Sequence, residues 1–84
     1  MARVTLNYWA GARAAAGTER ETVEAGSLAE ALALVVDQHA DARFARVLGA
    51  SSLLLEGTVV HGEGVAQPLD EAVQVEVLPP FAGG

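Results

Sequence analysis

The residues best suited to chemistry in this sequence are its last two, Gly83 and Gly84. They follow an alternating apolar strand and the pair Pro79 and Pro80, which favours an extended polyproline conformation and ends the hydrogen bonding of the strand. Because glycine has no side chain, a terminal carboxylate behind it can enter a channel too narrow for other residues. At roughly 3.3–3.6 Å per residue, the residues after Pro80 reach about 13 Å from the body. The pattern predicts that the carboxylate of Gly84 is the functional group and is delivered into the active site of another protein.

Other candidate sites fail on residue type or spacing. The chain contains no cysteine, which excludes disulfides, thiolate metal sites and a thiol nucleophile. His39 and His61 lie on different predicted elements without a third ligand at a useful spacing, and residues 62–64 lack the lysine of a phosphate-binding loop. We expect no bound cofactor, no metal and no self-contained catalysis. For the two glycines, the alternative is an ordinary flexible chain end.

Size and charge narrow the class of protein. Eighty-four residues make one small domain with room for a single core. The formal net charge is −6, with five arginines and no lysine, so a nucleic-acid partner is not expected and a basic protein partner is. Acidity that only aids solubility is the alternative. With no long apolar run and no signal-peptide core at residues 1–4, we expect a cytoplasmic protein and no membrane segment.

The first half of the chain predicts two strands and a helix. Residues 3–9 alternate with the period of a half-buried strand. After a turn of small residues, a densely charged strand over 18–25 has the composition of a sheet edge. An amphipathic helix over 28–39 begins at a capping box formed by Ser27 and Glu30.

The second half predicts a short helical turn and three strands. The turn, ended by Gly49, precedes strands over 53–55 and 58–60, and residues 61–72 are predicted as loop. Because glutamate is poorly suited to positive φ, we expect Glu56 and Gly57 to form a type II turn with the glycine in its third position. The final strand directs three valines inward: Val73, Val75 and Val77.

This order of elements is that of an α+β domain. The β-grasp (ubiquitin-like) arrangement satisfies it, with a mixed sheet of about five strands packed on one main helix and the first and last strands parallel neighbours. We expect a single domain over residues 1–84 with a free flexible tail over residues 79–84. Trp9 and Leu78 then lie on one outer face beside the tail, as in the core of an interface. The alternative is that Trp9 closes a small satellite core under a loop.

Three segments resemble one known family, the small subunit of molybdopterin synthase, a β-grasp sulfur carrier. Residues 8–17 are similar to the aromatic-Ala-x-x-Arg-x-x-x-Gly segment that follows the first strand of this family, and Pro68 and Leu69 to its Pro-Leu pair. Residues 78–84 are similar to its apolar-Pro-Pro-x-x-Gly-Gly ending. The resemblance extends over essentially the whole chain. It departs at Glu56, where the family often has Asn, and at residues 70–73, where it commonly has an Asp-Gly-Asp turn.

The resemblance implies a cycle of sulfur transfer. An ATP-dependent activating enzyme adenylates Gly84, and a persulfide-derived sulfur displaces AMP to leave a thiocarboxylate. The tail then enters the large catalytic subunit of molybdopterin synthase, within a heterotetramer, and donates sulfur to a pterin precursor of the molybdenum cofactor. The chain would be no enzyme on its own, and Gly83 and Gly84 would be its reactive end. The predicted partner contacts are Trp9, Leu78, Pro79, Pro80, Phe81 and Ala82.

Two other functions remain open on the sequence. A sulfur carrier for thiamine or cysteine biosynthesis would use the same tail chemistry, and a ubiquitin-like protein modifier would use Gly84 for an isopeptide bond. The segment containing Arg13 and Gly17, together with the apolar residue before Pro79, favours the pterin pathway by resemblance.

Overall fold

The computed structural model describes residues 1–80, so that Phe81, Ala82, Gly83 and Gly84 lie outside the described residues. The helices are α1 (Ala10–Ala16), α2 (Leu28–His39) and α3 (Ala42–Ala50), and a 3-10 helix spans Gly62–Ala66. Across the described residues, none of these helices has the length and apolar character needed to cross a membrane. The strands are β1 (Ala2–Tyr8), β2 (Arg20–Ala25), β3 (Ser52–Leu55), β4 (Thr58–Val60) and β5 (Val73–Leu78).

The five strands form one mixed sheet in the order β2-β1-β5-β3-β4. β1 and β5 are parallel, and the other neighbouring pairs are antiparallel. β5, the last strand in the sequence, therefore lies in the middle of the sheet, and the charged strand β2 lies at an edge. The predicted α+β class, the parallel first and last strands and the edge position of the second strand are confirmed.

The core lies between one face of this sheet and the helices. The alternation of β1 sends Val4, Leu6 and Tyr8 to the buried face. β5 sends Val73, Val75 and Val77 to the same face, as predicted. α2 covers that face with Leu28, Ala31 and Val35, and α3 adds Phe44 and Leu48. Burying these side chains supplies the main driving force for the fold. The opposite face of the sheet is left uncovered by the described helices.

Side-chain caps set where the helices begin. Ser27 Oγ accepts a hydrogen bond from Glu30 N at 3.1 Å, which is one of the two bonds of the predicted capping box, and α2 has the predicted bounds. Asp41 caps α3 by accepting from Arg43 N at 2.8 Å. The prediction that this helix ends at Gly49 was wrong. It continues through Gly49 to Ala50 and ends at Ser51, whose hydroxyl donates to Val47 O at 2.7 Å.

The turn between β3 and β4 also differs from the prediction. Glu56 and Gly57 both have positive φ, 49° and 85°, which is the geometry of a type I′ turn rather than the expected type II. Primed turns match the twist of the two strands they join. The cost of positive φ at Glu56 is offset by two bonds to Gln74 of β5: Glu56 N donates to its carbonyl at 3.0 Å, and the Glu56 carboxylate accepts from its N–H.

Two further boundaries differ from the sequence prediction. β2 begins at Arg20 rather than at residue 18, and the predicted loop over 61–72 contains the 3-10 helix. The Pro68 and Leu69 pair ties this region to the start of α2, because Ser27 bridges to Pro68 and Leu69 N donates to Gly26 O at 2.8 Å.

Candidate functional site

The sheet brings Trp9 and Leu78 together beside the exit of the tail. β1 and β5 are parallel and pair Tyr8 with Val77, so the C-terminal ends of these two strands lie side by side. Trp9 N donates to Val77 O at 3.2 Å, which continues the pairing by one residue. The Trp9 side chain is 51% exposed and Leu78 is 36% exposed, so Trp9 is not buried in a satellite core. The predicted outward placement of both residues is confirmed.

An apolar groove lies beside the C-terminal ends of β1 and β5 and encloses about 530 Å³. We call it the tail-exit groove. One wall comes from the corner between β1 and α1, the other from the start of β3 and the end of β5. It therefore joins four of the described residues that were predicted to contact a partner. Its lining is formed by Trp9, Ala10, Gly11, Ser52, Leu78, Pro79 and Pro80.

A second groove, of about 420 Å³, lies on the other side of the prolines, where α3 contributes Arg46, Val47 and Ala50. Gly11 lines both grooves, and a Cβ atom placed there would lie 4.0 Å from Pro79 Cγ. The two prolines thus form a ridge against α1 with apolar surface on either side.

The corner between β1 and α1 explains why the sequence segment over 8–17 has its pattern. Trp9 is extended and caps α1 with its carbonyl, which accepts from Ala12 N at 2.9 Å. Ala10 then has a φ of 46°, in the left-handed region, which costs on the order of 1–3 kcal/mol for a residue with a Cβ. Gly17 ends α1 with a φ of 75°, and its N–H donates to Arg13 O at 2.9 Å. The glycine is thus required by the backbone, while the strain at Ala10 lies in the wall of the groove.

Arg13 points away from the tail-exit groove. Its Nη1 lies 3.3 Å from Glu19 Oε1, and both side chains are more than half exposed. Together with Trp9 and Arg20 it lines a separate small pocket of about 160 Å³. The arginine therefore lies near Trp9 but does not line the tail-exit groove.

A hydrogen-bond network that the sequence analysis did not identify holds the Trp9 indole. Trp9 Nε1 donates to Glu76 Oε1 at 2.8 Å, and the other carboxylate oxygen, Oε2, accepts from Asn7 Nδ2 at 3.0 Å. The same Asn7 amide donates to Gln74 Oε1 at 3.0 Å. The alternation of β5 placed Glu76 on the outer face, but only the parallel register with β1 brings it beside Asn7 and Trp9.

A second polar cluster lies on the buried face. Glu21 Oε1 accepts from Tyr8 OH at 2.7 Å and lies 2.6 Å from His39 Nε2. The His39 ring stacks on Phe44 with centroids 4.0 Å apart. Burial of the phenol, reinforced by its bond to the Glu21 carboxylate, raises the pKa of Tyr8 above its ordinary value. This cluster fastens the edge strand β2 to the helices, which gives His39 a structural place at the end of α2.

The structure brings no metal-binding group together within residues 1–80. His39 is engaged with Glu21, and His61 is exposed at the start of the 3-10 helix. Among the described residues, the tail-exit groove is therefore the candidate functional surface.

No family model and no curated protein matches the sequence, but solved structures match the fold. Small archaeal modifier protein 1 from Methanosarcina acetivorans has a TM-score of 0.82 at 24% identity, over 100% of this chain and 98% of the other. The putative molybdopterin converting factor subunit 1 from Pyrococcus furiosus has a TM-score of 0.77 at 20% identity, over 96% and 100%. A chain in the complex of subunits 1 and 2 of the molybdopterin-converting factor from Helicobacter pylori has a TM-score of 0.69 at 20% identity, over 98% and 99%.

At these identities the comparisons establish the architecture. All three solved structures match the five-stranded mixed sheet and helices of this chain over nearly the full length of each chain. The protein has the β-grasp fold.

Proposed function

We propose that the protein is a sulfur carrier for molybdenum cofactor biosynthesis, with a thiocarboxylate formed at Gly84 as its reactive group. The observation that carries the proposal is the exposed apolar groove at the point where β5 leads into Pro79 and Pro80. A groove of this kind lets a partner dock beside the tail without contacting the reactive end. The sequence ending in Gly83 and Gly84 then supplies a carboxylate with no side chain near it.

The chemistry divides between the chain and its partners. An activating enzyme joins the Gly84 carboxylate to the AMP portion of ATP and releases pyrophosphate. A persulfide sulfur attacks the acyl carbon and displaces AMP. A thiol then attacks the donor's own sulfur, which forms a disulfide with the donor and releases the thiocarboxylate. Without a cysteine, the chain can carry sulfur only at its end. Positioning and charge stabilisation come from the partner enzymes.

The proposed acceptor is a pterin precursor held in the large subunit of molybdopterin synthase. Trp9 and Leu78 would form the centre of that interface, since a large, rigid aromatic beside an apolar groove is the kind of residue that dominates binding energy. The prolines, with apolar surface on both sides, would aim the tail into the partner. The likeness to a chain in the Helicobacter pylori complex of subunits 1 and 2 supports a partner of this kind.

A second candidate function is protein modification through an isopeptide bond from Gly84. The similarity to small archaeal modifier protein 1 from Methanosarcina acetivorans favours it. Both functions need the adenylated carboxylate, so they share the first step and differ in the group that attacks it. The acceptor, a sulfur nucleophile or an amine, is what distinguishes them.

The first experiment tests the shared site. The protein is incubated with its cognate activating enzyme, ATP and a persulfide donor, and its intact mass is measured. We expect one oxygen to be replaced by sulfur in the full chain. A chain ending at Ala82 is the matched control and should stay unchanged. An unchanged mass of the full chain with an active enzyme would refute the proposed site.

The second experiment identifies the acceptor. Thiocarboxylated protein is mixed with the candidate large subunit and with the pterin, thiazole or cysteine precursor in turn, and the sulfur is followed into product. Sulfur in the pterin alone supports the proposal. Sulfur in a thiazole or cysteine precursor assigns the protein to another carrier pathway, and an amide bond to protein lysines assigns it to modification.

A further inference from the structure

Glu76 stands out because both of its carboxylate oxygens bind side chains next to the tail exit. We infer that Glu76 is a positioning residue for docking. It holds the Trp9 indole against the sheet, so that this wall of the tail-exit groove is already formed before a partner binds. The inference about the indole concerns the free protein. Its consequence for a partner rests on the proposed function.

Two hydrogen bonds to β5 hold Trp9, one through its main chain and one through its indole ring. The Trp9 backbone N–H donates to Val77 O at 3.2 Å, and its indole N–H donates to Glu76 Oε1 at 2.8 Å. A tryptophan that is half exposed would otherwise rotate among several staggered conformations. Anchoring the main chain and the ring to adjacent residues of β5 leaves one arrangement favoured.

The carboxylate is itself held in place. Glu76 Oε2 accepts from Asn7 Nδ2 at 3.0 Å, and Asn7 lies directly opposite Glu76 in the parallel register of β1 and β5. Asn7 also donates to Gln74 Oε1 at 3.0 Å, so its amide is bound on both sides. The orientation of Glu76 is therefore set by the central strand pair rather than by solvent.

This arrangement prepares the indole for burial. An N–H group that loses water on docking without gaining an acceptor weakens binding, whereas an N–H already bound to a carboxylate keeps its partner. Holding the ring in one conformation also lowers the entropy lost on association. Glu76 thus acts through Trp9, so its substitution should increase the motion of the indole ring more than it lowers the stability of the fold.

The indole reports on this directly, because Trp9 is the only tryptophan in the chain. We would measure exchange of the indole N–H with water by NMR and the nanosecond motion of the ring by fluorescence anisotropy. Glu76→Leu removes the acceptor, whereas Glu76→Gln keeps a carbonyl oxygen for the indole. Glu24→Leu is the matched control, since Glu24 lies on β2, opposite Arg3 at the other end of β1.

In Glu76→Leu we expect indole N–H exchange to rise about tenfold and the ring to move faster. Glu76→Gln should stay nearer to the wild-type protein, and Glu24→Leu should match it. Unchanged exchange and anisotropy in Glu76→Leu would overturn the inference. Since these measurements use the free protein, they decide the positioning role whatever the partner proves to be.

The docking arm uses the large subunit of molybdopterin synthase from the same organism as the probe. If the wild-type protein binds, Glu76→Leu should weaken binding about tenfold, and Glu24→Leu should not. Equal affinity for Glu76→Leu, despite a loosened ring, would overturn the consequence for docking. Failure of the wild-type protein to bind would count against the proposed function, while the exchange measurement would still decide the role of Glu76.

Discussion

At the scale of single residues, Trp9 is exposed but not loose. It lines both the apolar tail-exit groove and a smaller pocket that contains Arg13 and Arg20. Its N–H is bound to Glu76, and its backbone is bound to Val77. A side chain held in this way contributes little to the core and is available to a partner, so its substitution should separate binding from stability.

We predict that Trp9→Glu weakens binding of the large subunit by about 2 kcal/mol or more, because the variant places a charge where the proposed interface has an aromatic side chain. Calorimetric titration measures the affinity, and thermal unfolding measures the stability. Loss of stability should be small, since the ring is half exposed.

Val59→Glu is a suitable control for this prediction. Val59 is 59% exposed and lies on the edge strand β4, where it pairs with Leu54 of β3, and β5 and β3 separate this strand from β1. It should leave the affinity nearly unchanged. A large fall in melting temperature for Trp9→Glu would instead show that the indole stabilises the fold.

Tyr8 gives a second prediction at this scale, because its pKa is raised in the folded protein by burial and by the bond to Glu21. The folded state holds the phenol proton more tightly than the unfolded state, so the stabilisation is complete below about pH 10 and is lost as the pH rises above it. The free energy of unfolding should fall by up to about 1.4 kcal/mol per pH unit there.

The chain is well suited to this measurement. It has one tyrosine, no lysine and no cysteine, so few other groups titrate between about pH 9 and 12. Urea unfolding at a series of pH values should show the alkaline slope in the wild-type protein and its loss in Tyr8→Phe. Equal slopes in the two proteins would contradict the prediction.

At the scale of elements, two glycines with open space around them should respond in opposite ways to alanine. Gly57 has a φ of 85° in the turn between β3 and β4, whereas Gly49 lies within α3, and no atom lies within 4 Å of a Cβ built at either. We predict that Gly57→Ala destabilises the protein by about 1–2 kcal/mol through backbone strain. Gly49→Ala should stabilise it by roughly 0.5–1 kcal/mol.

Chemical denaturation of both variants checks this pair, and each serves as the control for the other. Because neither change creates a clash, the opposite signs of the two changes in unfolding free energy report the effect of backbone conformation alone. If both variants were destabilised by the same amount, the turn would not have the primed geometry.

The same elements show what the sequence could predict. The strands β1 and β5 and the helix α2 follow from local alternation and from the cap at Ser27, so their bounds and buried faces were predicted closely. The turn at Glu56 was not, because its compensating bonds come from Gln74, 18 residues away. The end of α3 was misplaced because Ser51, rather than Gly49, closes the helix.

The candidate site, too, could be predicted only in part from the sequence. Parity along β1 and β5 was enough to place Trp9 and Leu78 on one outer face. The bond between Trp9 and Glu76 joins residues 67 positions apart and depends on the register of two strands, which alternation alone does not specify. The sequence therefore indicated which side chains face outward but not which of them bind one another.

At the scale of the whole molecule, the strand that leads to the tail is enclosed by two others. β5 pairs with β1 on one side and with β3 on the other. The strand that carries the tail-exit groove thus belongs to the centre of the fold, and the loss of β5 would divide the sheet into two separate hairpins, β2-β1 and β3-β4.

This placement has a mechanical consequence. A partner that draws the tail into its channel exerts a force along β5. A pull between the start of β1 and the end of β5 loads the hydrogen bonds of a parallel pair together, in shear, whereas a pull between the end of β5 and the start of β3 opens an antiparallel pair one bond at a time.

Single-molecule pulling can compare the two directions, since the chain has no cysteine of its own to interfere with attachment. The double variant Arg3→Cys with Pro80→Cys should unfold at a higher force than Ser52→Cys with Pro80→Cys. Equal forces would refute this mechanical asymmetry. If the asymmetry holds, β5 resists a pull on the tail best when the body is held at the start of β1, and less well when it is held at the start of β3, beside the tail-exit groove.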